Sequence, residues 1–242
     1  MSSAVHYRYE ILRTLRNRRF FAITLALPLV IFYAIASANR HARTDGIAFP
    51  LYFMTGMAAY GAMFAAVSPG ARIAADRARG WTRQLRITPL RPHTYLISKV
   101  LSAYLTAVPA LLLLFLAGTT LGVRLQATHW LAMAGLLLVG LAPFVELGLI
   151  VGNLAQVDSI APIVGGIVVL FALLGGVFGQ IFNGGTMLTF VKLLPSYWLV
   201  QAGKAAGGGG DWPLEGWIVV AVWAVALIPV GVFAFRRSAS RV

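Results

Sequence analysis

The chain has 242 residues, of which 59% are hydrophobic and only 11% charged, and its mean hydropathy is +0.81. A soluble domain of this size would have to carry a mostly apolar surface, so the solvent this composition fits is the bilayer. The net charge of +13 does not mark a nucleic-acid binder, because the cations cluster at the ends of apolar runs, and the lack of cysteine excludes disulfides and thiolate metal sites.

The opening segment HYRYEILRTLRNRR (residues 6–19) reads as a short interfacial helix. Ile11, Leu12 and Leu15 share one arc, and the arginines can snorkel to the headgroups. Six stretches that follow are long enough to span, since about 20 apolar residues cross the hydrocarbon core. They are Phe20–Ala38, Ile47–Ala71, Val100–Val123, Trp130–Ala155, Ile160–Phe182 and Leu214–Phe235. Arg18-Arg19 followed by an apolar run and Ala36-Ser37-Ala38 also resembles a cleavable signal. The run is span-length, however, where a signal's apolar region is about 7–15 residues, which favours a retained span.

The cations orient the spans. Fifteen of them precede the first span, fill the loop over residues 72–99 or follow the sixth. Only Arg40, Arg43, Arg124, Lys192 and Lys204 lie on the other side. Both termini are therefore expected in the cytoplasm.

Residues 183–213, on the external side, hold an apolar piece too short to cross and broken at Pro195. It reads as a re-entrant or interfacial helical hairpin, with Tyr197 and Trp198 at headgroup level and Gly207–Gly210 as a hinge. The expected fold is all-α. It is a single polytopic domain over residues 1–242, with no second domain and no internal repeat.

The loop RIAADRARGWTRQLRITPLRPHTYLISK carries seven cations against one acid, Asp76. Up to Gly80 it should continue the second span as helix. Beyond it, Trp81, Leu85 and Thr88 form one ridge of a short helix stopped by Pro89, with Arg83 and Arg86 beside it. Two readings stand: a protein-docking ridge framed by arginine, or an amphipathic helix resting on headgroups.

Within the spans, Phe53, Met57, Tyr60 and Phe64 repeat along one face of the second, a pattern that suits helix packing or lipid contact. Gly118/Gly122, Gly148/Gly152 and Gly175/Gly179 are spaced for close helix contacts. Glu146 is the sole acid deep inside a span, about 14 Å along the helix from Ala155. It is open to two readings, a polar contact for substrate or protons and an inter-helix hydrogen bond, of which the second is favoured.

The segment DRARGWTRQLRITPLRPHTYLISK resembles the cytoplasmic loop of ABC-2 type transporter permeases, matching at Asp76, Gly80, Leu85, Thr88, Pro89, Leu90 and Lys99. The likeness extends to the basic N-terminal helix, the six spans, the external hairpin and Leu194-Pro195-Ser196-Tyr197-Trp198. Trp81, where relatives often carry Thr, and Ala78, often acidic, depart from the pattern. The Gly-Trp-x-Arg-Gln-Leu-Arg variant, which includes Gln84, resembles antibiotic-export permeases of actinobacteria and related bacteria.

The resemblance implies a permease subunit of an ATP-driven exporter in a bacterial cytoplasmic membrane, handling an amphipathic drug, antibiotic, lipid or lipid-linked glycan. Asp76, Gly80, Trp81, Arg83, Gln84, Leu85, Arg86, Thr88 and Pro89 would then couple to an ATPase. Phe53, Met57, Tyr60 and Phe64 would face Phe171 and Phe178 across a dimer interface as the substrate path. The implied partners are two ATPase subunits carrying ATP and Mg, a second permease copy, identical or not, and membrane lipid.

No GxxxxGK[ST] occurs in the chain, so it has no nucleotide cradle of that type, and it should bind no cofactor itself. HExxH and GxSxG are also missing, and His6, His41, His93 and His129 are scattered, so an enzyme is not expected. The alternative reading is a stand-alone, proton-coupled secondary transporter or channel using Glu146.

Overall fold

The computed structural model describes residues 18–44, 46–79, 92–179, 184–209 and 211–240, with side chains placed for 26–44, 46–79, 97–179, 184–208 and 211–238. The interfacial helix read before residue 18 lies outside the described residues. The described chain is mostly helical. α1 spans Arg18–Ala38, α2 Phe49–Val67, α3 Pro69–Ala78, α4 Pro92–Thr120 and α5 Ala127–Gly140. They are followed by α6 Ala142–Leu154, α7 Val157–Gly175, α8 Gly185–Lys192, α9 Pro195–Lys204 and α10 Leu214–Ser240. Among the described residues the one departure from all-α is a two-residue antiparallel pair, β1 (Arg43–Thr44) with β2 (Ile47–Ala48), turned by Gly46 at φ 76°. It closes the connector between α1 and α2.

Two spans are helices with an internal break. Pro69 lacks an amide and divides the second into α2 and α3 at Ser68. Pro143 does the same between α5 and α6, although the Leu141 amide still reaches the Leu137 carbonyl at 3.1 Å. Among the described residues, five helical segments can cross a membrane by length and composition: Phe49–Ala78, Ile97–Thr120, Ala127–Leu154, Val157–Gly175 and Leu214–Ser238. α1, whose apolar part with described side chains is Ala26–Ala38, is a shorter companion by the same measure.

α7 ends earlier than the expected Phe182. Gly176 adopts a left-handed conformation (φ 74°), and the Val177 amide turns back to the Ala172 carbonyl at 3.0 Å, a glycine C-cap. Phe178 therefore lies in a turn after the helix.

α2 is the axle of the bundle. It packs most heavily on α4, and also on α1, α6, α7 and α9. α9 is wedged between α2, α5, α7 and α10, and α6 lies along both α3 and α10. The glycine pairs behave differently from one another. A Cβ on Gly148 would come 2.8 Å from the Val67 carbonyl oxygen, and one on Gly152 would come 2.6 Å from that of Gly70, so backbones of α3 and α6 touch. Gly118 and Gly175 are also contact points, against Met54 and Ser196, whereas Gly122 and Gly179 are positive-φ turn residues in open space.

Candidate functional site

The described part of the basic loop begins with α3, whose burial alternates as an amphipathic helix requires: Ile73, Ala74 and Asp76 face inward. Lys99, in the second turn and beyond of α4, donates from Nζ to Asp76 Oδ2 at 3.1 Å, and both side chains are almost wholly buried. A buried pair holds because each charge is met by the other; loss of one partner leaves an uncompensated charge. One residue on, Arg77 Nη1 donates to the carbonyls of Gly152 (3.1 Å) and Ala155 (3.2 Å). These are carbonyls at the end of α6, where a cation meets the negative pole of the helix. Three helices, α3, α4 and α6, are thus fastened at one level.

Asp76, expected among the residues that couple to an ATPase, is 3% exposed and turned into the bundle, where it meets Lys99. Gly80, Trp81, Arg83, Gln84, Leu85, Arg86, Thr88 and Pro89 lie outside the described residues. Lys99 and Arg77 had not been singled out as site residues. The available signal was that Asp76 is the lone acid of the loop and must meet one of its cations.

The aromatic stripe lies within the bundle of the single chain. Phe53, Met57 and Tyr60 are buried inside the single chain, and only Phe64 keeps part of its surface. Phe53 stacks between Phe49 (5.6 Å) and Phe32 (6.4 Å), which ties α1 to α2. Tyr60 meets Phe178 of the same chain at 6.1 Å, and Phe171 meets Phe144 edge-on at 5.4 Å. Contact between the stripe and Phe178 is therefore intramolecular, because α2 occupies the bundle centre instead of its rim. Phe178 itself is 41% exposed and offers an aromatic surface outward.

Glu146 sits on α6 a little beyond the Pro143 break and is half-buried. Its Oε2 is sealed from solvent and has no hydrogen-bond partner among the described residues, so that oxygen does not make the favoured inter-helix hydrogen bond to any of them.

The hairpin α8–α9 turns at Leu193 and Leu194 as its Pro195 requires. Trp198 is buried against protein, its Nε1 donating to the Lys192 carbonyl at 2.6 Å, while Tyr197 packs on its edge. A pocket of about 290 Å³ opens beside them, lined by Lys192, Gln201, Lys204, Asp211 and Glu215 among others. Among the described residues no group of three His, Cys, Asp or Glu is placed to hold a metal.

A basic loop rooted in a braced three-helix base, inside a bundle of long apolar helices, is the arrangement the comparisons with known proteins address. The sequence profile of the ABC-2 type transporter family matches residues 4–206. The chain belongs to the ABC-2 type transporter family. A relative named "Putative transport permease YvfS", from Bacillus subtilis (strain 168), is 28% identical over 209 residues, covering 85% of this chain and 82% of its own. As an ABC-2 permease the chain is a multi-pass membrane protein and the membrane subunit of a transporter, of a family that associates with an ABC ATPase.

Proposed function

We propose that the chain is the permease of an ATP-driven exporter that moves an amphipathic substrate across a bacterial cytoplasmic membrane. It works as a dimer, with an identical or related permease, on two separate ATPase subunits that carry ATP and Mg. The observation that carries this reading is the braced base of the basic loop. Displacement of residues 80–91 by an ATPase cannot dissipate at the loop's ends. The Asp76–Lys99 pair passes it to α3 and α4, and Arg77 passes it to α6, which lies along α10. Six spans including α1, with α8–α9 re-entering from outside, complete the topology.

Two experiments test this. Trp81→Ala with Leu85→Ala should weaken association with the partner ATPase in co-purification by a few kcal/mol, as paired hot-spot truncations do. Full retention of the ATPase by the double variant would show that the ridge only rests on lipid. Because the chain has no cysteine, single cysteines can report orientation. Impermeant thiol reagents applied to intact cells should label Thr44→Cys and Asp211→Cys and spare Thr82→Cys and Gln156→Cys.

The sealed, unpartnered oxygen of Glu146 favours a second reading, a proton-coupled carrier that needs no ATPase. Wild-type transport that survives ATP depletion and collapses with a protonophore would establish it in place of the first.

A further inference from the structure

The pocket beside the hairpin is lined by charge of both signs. Lys192 and Lys204 come to it from the last turns of α8 and α9, Glu215 from the first turn of α10, and Asp211 from just before that helix. Each helical charge suits the pole of its own helix. That does not explain why four charges share one cavity without neutralising one another. Among the described residues the side chains of Lys192, Asp211 and Glu215 make no hydrogen bond or ion pair. Lys204 is held over the Tyr52 ring of α2, 4.2 Å from its centre.

The walls are fixed in place. Trp198 Nε1 donates to the Lys192 carbonyl at 2.6 Å and Trp223 Nε1 to the Leu193 carbonyl at 2.8 Å, so two consecutive carbonyls tie the hairpin turn to α9 and α10. The volume of about 290 Å³ is at the lower end of the roughly 300–1,000 Å³ of small-molecule sites. That is room for a small polar group, not for a drug-sized body. Separated cations and carboxylates around one cavity match a zwitterion, since a simple anion or cation would leave one pair unmet.

The rim says what carries the zwitterion. Leu193, next to Lys192, is 59% exposed, and Leu214, next to Glu215, is 73% exposed. Trp217 and Ile218 are also exposed at this end of the α10 span, where an indole sits at headgroup depth. A charged cavity edged by exposed apolar side chains can take a lipid headgroup while the acyl tails stay outside. Two carboxylates accept hydrogen bonds from a primary ammonium, which a trimethylammonium cannot donate.

We infer that this pocket binds the phosphoethanolamine headgroup of a membrane lipid, with its phosphate on Lys192 and Lys204 and its ammonium on Asp211 and Glu215. The lysines belong to the hairpin, whereas the acids follow the glycine run 207–210, in which Gly208 has φ 110°. The bound lipid bridges that run and holds the hairpin to α10. It is a partner distinct from the transported substrate, and the inference rests on the topology proposed above only for the leaflet, which is the outer one.

The test uses the full-length permease in detergent without its ATPase, so its failure and that of the coupling reading are separate results. Native mass spectrometry counts bound dioleoyl phosphatidylethanolamine, phosphatidylcholine or phosphatidylglycerol, and water-soluble glycerophosphoethanolamine. Phosphatidylethanolamine should bind about tenfold or more tighter than each of the other three, the worth of the charge-assisted contacts or apolar tails they lack. Asp211→Asn with Glu215→Gln should abolish its advantage over phosphatidylcholine. Lys192→Ala should weaken both lipids and keep that advantage. A wild-type measurement covers misfolded variants: a carbodiimide should cross-link the lipid amine to Asp211 or Glu215 in preference to Asp158, which is exposed at the start of α7. Equal binding of phosphatidylethanolamine and any of the other three, an advantage that survives the double variant, unchanged binding by Lys192→Ala, or cross-linking no greater than at Asp158 overturns the inference.

Discussion

The segment α2–α3 and the helix α10 invert the rule for soluble proteins. α10 is the more apolar, with a mean hydropathy of 2.7 against 1.3, yet only 11% of its span is buried where 89% of the α2–α3 span is. In water the greasiest helix goes inside; here it faces out, because lipid tails are as apolar as leucine and give no driving force for hiding it. What earns a central position is instead the ability to pack closely and to satisfy polar groups. α2 is rich in Ala, Gly and Met, and α3 carries Asp76, Arg77 and Gly70. α10 shows Val222, Val225, Ile228 and Phe233 to the outside.

The comparison can be broken or sharpened in order of expected effect. The largest is at the brace: Asp76→Ala should destabilise the permease by about 3–5 kcal/mol, because Lys99 is left buried without its counter-charge. Thermal unfolding in detergent measures this, and Asp76→Asn combined with Lys99→Met should recover much of the loss. No loss in Asp76→Ala would mean the pair is not sealed from water. Next, Met57→Ala on the fully buried face of α2 should cost about 2–5 kcal/mol through the cavity it leaves. Gly152→Val should cost about 1–3 kcal/mol by forcing α6 away from Gly70. Its signature would be loosened protease protection at the α3–α6 contact.

The smallest effect is the most diagnostic. Val225→Ala on α10, at a position 67% exposed in the single chain, should shift stability by no more than about 0.5 kcal/mol. A loss near that of Met57→Ala would show that a second copy covers this face. Tyr60→Ala distinguishes core from route: loss of stability with unchanged substrate preference would identify the ring as packing alone.

The sequence by itself determined the class of fold and most of its parts. Apolar run length located the long apolar helices, since it answers to bilayer thickness, but not their ends, which in α7 a glycine cap sets; Pro195 placed the break in the hairpin, and Gly-rich spacing found the α3–α6 contact. The loop motif carried the family. Only the tertiary structure decided which face of each helix meets which neighbour. Periodicity shows that Phe53, Met57 and Tyr60 share a side, but in a membrane both a lipid face and a core face are apolar, so no pattern could tell that the side points inward. Nor could spacing reveal that Asp76 is consumed by Lys99, 23 residues away, or that the Glu146 Oε2 has no partner among the described residues. Those outcomes depend on which helices come to lie side by side, and that is settled by close packing of small residues and matching of buried polar groups, not by hydrophobicity.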